Sequence, residues 1–261
     1  MIPFSKQTIS NKDIQSVINV MKSDFLTQGK KVIEFEKKIS KFTKSRFAIS
    51  SNSGSSSLHL ACLSLNLKKN DIVWTVPNTF AASANSALLC GARVDFVDID
   101  PNTWNIDVKQ LESKLKNSKK KKKLPKILIP VHFAGQPTDQ KKIWQLSRKY
   151  NFKIIEDASH SLGARHAKEI VGSCKWSDIT VFSFHPTKII TTAEGGMATT
   201  NKIDYANRMR MFRTNGIVKD KELLIRKKNF SPWYYEHQAV GHNFRMNEIS
   251  ASLGISQLKR V

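Results

Sequence analysis

The sequence predicts an α/β protein of three layers, with a mostly parallel seven-stranded sheet covered by helices on both faces. Three observations carry that expectation. Short apolar, β-branched runs recur seven times; segments with helical spacing separate most of them; and several runs are apolar at successive positions. Strands buried on both faces lose the inside–outside alternation, which is the habit of parallel sheets in α/β proteins. The runs are "FAIS" (47–50), "DIVWTV" (71–76), "RVDFVDI" (93–99), "KILIPVHF" (126–133), "KIIED" (153–157), "DITVFSF" (178–184) and "GMATT" (196–200). Two amphipathic helices, "NKDIQSVINVMKS" and "KVIEFEKKISKFT", precede the first. Further helices follow at "SSSLHLACLSL", "AASANSALLCG" and "DQKKIWQLSRKY".

A length of 261 residues and 40% hydrophobic content suit a folded chain with a large core. The formal net charge of +22 invites a nucleic-acid reading. Its lysines and arginines, however, are spread along the chain, with no zinc-finger spacing and no RNA-binding aromatic signature. The run at 119–123 reads as a solvated loop between a helical pattern and a strand. The charge therefore predicts nonspecific stickiness at low salt and no nucleic-acid partner. No basic segment leading into an apolar one opens the chain, and no apolar stretch is long enough to span a bilayer. Cys62, Cys90 and Cys174 fit neither a disulfide framework nor a metal clip, so a reduced, cytoplasmic location is expected. The seven histidines are scattered, without HExxH, and predict no metal.

In open α/β sheets ligands bind beyond the carboxyl ends of strands. The residues to examine are thus 52–57, 77–80, 132–136, 157–160 and 183–188. Asp157 ends a buried run, where a carboxylate needs a partner unless it simply caps a following helix. "SNSGSSSLHLA" (51–61) sets Gly54 and serines before a helix, either a well-capped start or an anion site made of backbone N–H groups. Lys188, in "FSFHPTKIITTAEGGM" (182–197), either snorkels to solvent or is desolvated into a nucleophile able to form a Schiff base. Phe80 is either core or an aromatic face for stacking. Taken together, a lysine, a carboxylate and a phosphate cradle are what pyridoxal 5'-phosphate needs: an amine for the aldehyde, an anion for the ring nitrogen, and donors for the phosphate.

These segments resemble the DegT/DnrJ/EryC1/StrS sugar aminotransferases, which are fold-type I pyridoxal-phosphate enzymes. The similarity runs from "FLTQGKKVIEFEKKISKF" through "SNSGSSSLHLA", "TVPNTFAASANSALLCGARVDFVDID", "PVHFAGQPTD", "IIEDASHSLGA" and "FSFHPTKIITTAEGGM" to "GHNFRMNEISASLGISQL". The resemblance implies that Lys188 is the Schiff-base lysine and proton shuttle, that Asp157 pairs with the pyridine nitrogen, and that Phe80 stacks on the ring. It implies that Gly54, Ser55 and Ser183 hold the phosphate, and that His160 lies beside the phenolic oxygen where many members carry glutamine. Asn243 matches an asparagine that reaches the cofactor of the neighbouring subunit, so the resemblance implies a homodimer with shared sites; Arg245 lies in the same segment. Ser55 stands for the usual threonine, and Asn215 for a common histidine.

The implied reaction moves an amino group, with glutamate as donor, to a nucleotide-linked 4-keto-6-deoxy sugar for surface-glycan biosynthesis. The subgroup most resembled aminates UDP-4-keto-6-deoxy-N-acetylhexosamines on the way to pseudaminic-acid-type glycans. Alternatives are a fragment that binds the cofactor without turnover, a sugar dehydratase relative, and a regulatory relative; the dehydratases have histidine where this chain has Lys188. The resemblance divides the chain into an arm (1–30), a cofactor-binding large domain (31–225) and a dimer-contact segment (226–261). Members of the family continue for about a hundred residues more, so a fragment or truncated product lacking most of a small C-terminal domain is expected.

Overall fold

A computed structural model describes residues 5–226 and 231–261. Part of the basic stretch "IRKKN" (225–229) lies outside the described residues. In chain order the elements are α1 (Asn11–Met21), α2 (Lys30–Thr43), β1 (Phe47–Ser51), α3 (Gly54–Ser64), β2 (Ile72–Thr75), α4 (Ala82–Leu88), β3 (Arg93–Phe96), α5 (Val108–Lys120), β4 (Ile127–Leu128), α6 (Gln140–Tyr150) and β5 (Lys153–Asp157). They continue with β6 (Arg165–His166), β7 (Glu169–Ile170), β8 (Ile179–Ser183), β9 (Gly196–Thr200), α7 (Ile203–Arg213), β10 (Ile217–Val218), β11 (Glu236–His237) and α8 (Glu248–Gln257).

The central sheet has seven strands in the order β1-β9-β8-β5-β4-β2-β3. Each corresponds to one of the seven runs. β9 alone runs against its neighbours, antiparallel to both β1 and β8, while β8, β5, β4, β2 and β3 are parallel in succession. Six carboxyl ends, and the amino end of β9, therefore share one edge of the sheet.

Alternate residues of the strands feed cores on opposite faces. Ile49, Val73, Ile127, Ile155, Ile179 and Ala198 pack with Leu58, Ala61 and Met209 from α3 and α7. On the other face, Ala48, Phe182 and Met197 meet Phe35, Ile39, Ala251 and Ile255 from α2 and α8. Farther along that face Trp74, Leu128 and Ile154 meet Leu111, Leu115, Ile143 and Leu146 from α5 and α6. Burial on both faces is why these strands read as continuous apolar runs.

The ends of helices follow local chemistry. Ser10 and Asp13 form a reciprocal capping box at α1, and Asp107 and Asp139 cap α5 and α6. The lysine run at 119–123 is only partly a loop, because Lys119 and Lys120 form the last turn of α5. Cations there complement the helix dipole, which draws the run into the helix. α8 closes at Gln257, and a 3-10 turn spans Leu258–Arg260. Asn215, where the family often carries histidine, sits at φ 56° before Gly216 at φ 75°. Asparagine and glycine tolerate that left-handed turn, so the local geometry accounts for the residue.

Ile155 is fully buried at the centre of the sheet. Ile155→Ala should lower the unfolding free energy by about 2–5 kcal/mol, through lost transfer energy and a residual cavity. Denaturant unfolding checks this; a loss below about 0.5 kcal/mol would contradict the described packing.

Candidate active site

The shared edge of the sheet closes on a cavity of about 400 Å³, within the usual range for small-ligand sites. Gly54, Ser55, Phe80, Asp157, His160, Ser183 and Lys188 all line it. The topology brings these residues together from four separate loops and strand ends.

One end is a cradle. Ser53 caps α3 by accepting from the Ser56 N–H, while the first N–H groups of a helix have no intrahelical acceptor. Gly54 and Ser55, the first residues of α3, line the cavity. Ser51, Gly196 and Ser183 pair in one row across β1, β9 and β8. The approach needs glycine, because a Cβ at Gly54 would stand 2.8 Å from the Ser183 Cβ, and one at Gly196 would stand 2.3 Å from the Ser53 carbonyl oxygen. Backbone donors, hydroxyls and a helix dipole converge there as they do for a phosphate.

Asp157 also lines the cavity and is 5% exposed. It does not cap a helix. The Ser159 N–H and Oγ donate to its Oδ1 at 3.2 and 2.6 Å, and the Ser83 Oγ donates to Oδ2 at 2.7 Å. Thr79 Oγ1 stands 2.8 Å from Ser83 Oγ and extends the network. The backbone of Asp157 is also fixed, its N–H donating to the Pro130 carbonyl at 2.9 Å and its carbonyl accepting from the His132 N–H at 3.0 Å.

Lys188 comes from a turn between β8 and β9. "HPTK" (185–188) is closed by the Lys188 N–H donating to the His185 carbonyl at 2.9 Å, with Pro186 at the position a β-turn favours. Both ends of the excursion are tied, by Phe184 N–H to the Gly195 carbonyl and Thr192 N–H to the Phe184 carbonyl, each at 2.9 Å. The half-buried Nζ stands 2.7 Å from His160 Nε2. Desolvation lowers the lysine's proton affinity and the charge of Asp157 partly restores it. Burial, then the Lys188 charge, hold His160 below its ordinary value, against the opposing pull of Asp157. Gly135, at φ 90°, leaves room for the His160 carbonyl, which a Cβ there would meet at 2.7 Å.

Phe80 is 78% exposed, so it is a free aromatic face on the cavity wall and not a core residue. Asn243 does not line this cavity. It is exposed, bridged to Thr214, in a segment where the Asn52 N–H donates to the Phe244 carbonyl at 2.9 Å. Arg245 is likewise absent from the lining. Thr79, His132 and Ser159 fall within the strand-end segments but were not singled out there, and Ser83 lies outside those segments. Of these only Ser159 carried a signal, because an Asp often accepts from the N–H two residues on.

Behind the site, Glu156 is buried beneath the sheet edge. It accepts from Thr180 Oγ1 at 2.6 Å, from Ser177 Oγ at 3.2 Å and from the Gln140 amide, with His132 Nε2 at 3.9 Å. Among the described residues no group of three or more His, Cys, Asp or Glu side chains is arranged to hold a metal ion. Burial pushes the thiols up, Cys62 to about 12 and Cys90 and Cys174 to about 11, which leaves them protonated and unreactive near neutral pH.

The residues fit a flat, phosphate-bearing, aldehyde-containing ring such as pyridoxal phosphate. Glycine-dependent clearance beside backbone and hydroxyl donors suits the phosphate, an exposed phenyl face suits the ring, and a fixed carboxylate and an amine lie beyond.

The sequence pattern of the DegT/DnrJ/EryC1/StrS aminotransferase family matches residues 7–261. A UDP-4-amino-4,6-dideoxy-N-acetyl-beta-L-altrosamine transaminase of Campylobacter jejuni is 40% identical over 261 residues, covering 100% of this chain and 65% of the relative. Among solved structures, Helicobacter pylori PseC, an aminotransferase involved in the biosynthesis of pseudoaminic acid, superposes with a TM-score of 0.87 at 33% identity, over 99% of this chain and 65% of that one. The PLP-form of Streptococcus pneumoniae Spr1654 gives 0.84 at 27% identity, over 99% and 66%. The chain thus spans somewhat under two thirds of the length of these relatives.

Burial pushes the Glu156 carboxyl upward, but attraction to His132 and the Thr180 and Gln140 donors outweigh it, leaving the group below its ordinary 4.5. Its stabilisation is therefore present above that value and lost as the pH falls through the lowered one. Glu156→Gln should cost about 1–3 kcal/mol near neutral pH. The difference from wild type should narrow in denaturant unfolding near pH 4; a pH-independent difference would contradict a charged Glu156.

Proposed function

Because the chain belongs to the DegT/DnrJ/EryC1/StrS aminotransferase family, we propose that it is a pyridoxal-phosphate-dependent aminotransferase acting on a nucleotide-linked 4-keto-6-deoxy sugar. The amino donor is glutamate, and the product serves surface-glycan biosynthesis. The observation that carries this is the meeting of Lys188 and Asp157 in one cavity with the Gly54, Ser55 and Ser183 cradle. When bound, the cofactor supplies an electron sink for the carbon that bears the amine.

The chain's own residues do the rest. Asp157, with both oxygens hydrogen-bonded to fixed donors, holds a proton at the ring nitrogen. Lys188, with its proton affinity lowered by desolvation, accepts and returns a proton beside the reacting carbon, a task that suits an amine less basic than an ordinary lysine. Phe80 would cover one ring face and exclude water there. His160 would hydrogen-bond the phenolic oxygen. Retention of Lys188 favours transamination over the dehydratase chemistry of relatives with histidine at that position.

The Campylobacter and Helicobacter relatives support a UDP-linked sugar substrate of the pseudaminic-acid type. The exposed Asn243 supports a homodimer in which it reaches the partner's cofactor. In this reading 1–30 is the arm, 31–225 the cofactor-binding unit and 226–261 the dimer-contact segment, with 1–4 and 227–230 outside the described residues. Among the described residues no helix is long and apolar enough to cross a membrane, and we assign the protein to the cytoplasm, without a nucleic-acid partner.

Purified protein mixed with pyridoxal phosphate should develop a visible absorbance band that Lys188→Ala lacks and that borohydride fixes covalently. Added glutamate should bleach it. A band that glutamate leaves untouched would favour cofactor binding without turnover, and no band in folded protein would contradict the proposal.

A further inference from the structure

We infer that His160 is the proton acceptor that frees the Lys188 amine while the protein captures its cofactor, a role beyond hydrogen-bonding a phenolic oxygen. The inference rests on the cofactor reading above. Its basis is the 2.7 Å contact between Lys188 Nζ and His160 Nε2. A lysine ammonium has three donors and no acceptor, so across this contact Nε2 must present its lone pair and the ring proton must sit on Nδ1. An ammonium cannot attack an aldehyde until it loses a proton. The atom placed to take it is already in hydrogen-bond contact. Glutamine at position 160 would also hydrogen-bond the phenolic oxygen, but its amide is not a base at neutral pH.

The surroundings favour this exchange. Desolvation lowers the proton affinity of Lys188, and Asp157 holds positive charge on the pair wherever the proton lies. The other titratable groups on the cavity wall are His132, His185 and Glu194. Lys6 and Arg260 line the recess on the other side of Lys188. His132 Nδ1 accepts from the Thr138 N–H at 3.2 Å, and His185 Nδ1 lies 3.0 Å from Thr187 Oγ1. The two histidines already have local partners, and His160 is the base in hydrogen-bond contact with Nζ.

The step balances. One proton leaves Nζ for His160 Nε2, and the freed lone pair bonds the aldehyde carbon while the C=O pair moves onto oxygen. That oxygen departs as water, carrying a second Nζ proton and the one returned by His160. The ammonium and the aldehyde become a protonated imine and one water, with no oxidant or reductant, and His160 ends as it began.

The test is the rate of covalent pyridoxal phosphate uptake by cofactor-stripped protein, trapped with borohydride at timed intervals and counted by intact mass, between about pH 6 and pH 9. A wild-type pair that shares one proton always contains some free amine, so its rate should be nearly flat through neutrality. In His160→Gln the rate should rise roughly tenfold per pH unit, tracking the lysine alone, and should fall on the order of tenfold or more below wild type near pH 7. Imidazole added to His160→Ala should restore uptake at neutral pH, which a purely structural role would not allow; thermal unfolding confirms that both variants are folded. Parallel pH profiles, or no rescue by imidazole, would overturn the inference and leave the cofactor reading intact. Wild type that retains no covalent cofactor at any pH would overturn both.

Discussion

A carboxylate buried at the end of a central strand must be solvated by something, and Asp157 is solvated by the protein. Two serine hydroxyls and an N–H group occupy its oxygens, while neighbouring loops fix its backbone. Leaving that charge unpaired would cost several kcal/mol. The structure supports it with donors and with a lysine brought to the same cavity by the next strand. The position of Asp157 depends on β5 lying between β4 and β8, so the sheet order and the site are one problem with one solution.

The single reversed strand matters for the same reason. β9 returns along β8 and brings Gly195 and Gly196 to the edge where the six other strands end. Gly196 lets the β1–α3 loop approach, and Gly54 lets that loop reach Ser183. The turn carrying Lys188 is tied at both ends to this corner. An anion cradle and a nucleophile thus share one rigid corner, which limits the entropy lost when a ligand is ordered there.

Much of this was legible in the residues. Strands buried on both faces leave continuous β-branched runs, and each of the seven runs contains a strand, although 126–133 keeps only Ile127–Leu128 and the edge strand β3 is largely exposed. Candidate residues at strand ends could be chosen because the fold class says where ligands bind, and the seven chosen for this chain's own cavity all line it. α7 was not singled out, because it buries only Ala206 and Met209 and spreads arginines along its length. The two-residue strands of the small hairpins are too short for any periodicity. The hydroxyls around Asp157 were hidden for a different reason. Serine is common, and Ser83 lies 74 positions from the carboxylate it serves, so only the folded topology reveals the pairing. The contact between His160 and Lys188 is likewise a product of two strand ends meeting.

The central claim is that this cavity holds an aldehyde cofactor on one particular lysine. It is tested most directly by peptide mapping of protein incubated with pyridoxal phosphate and reduced with borohydride. The account predicts a single pyridoxyl adduct on the peptide carrying Lys188. Adducts scattered over surface lysines, with Lys188 unmodified, would contradict it.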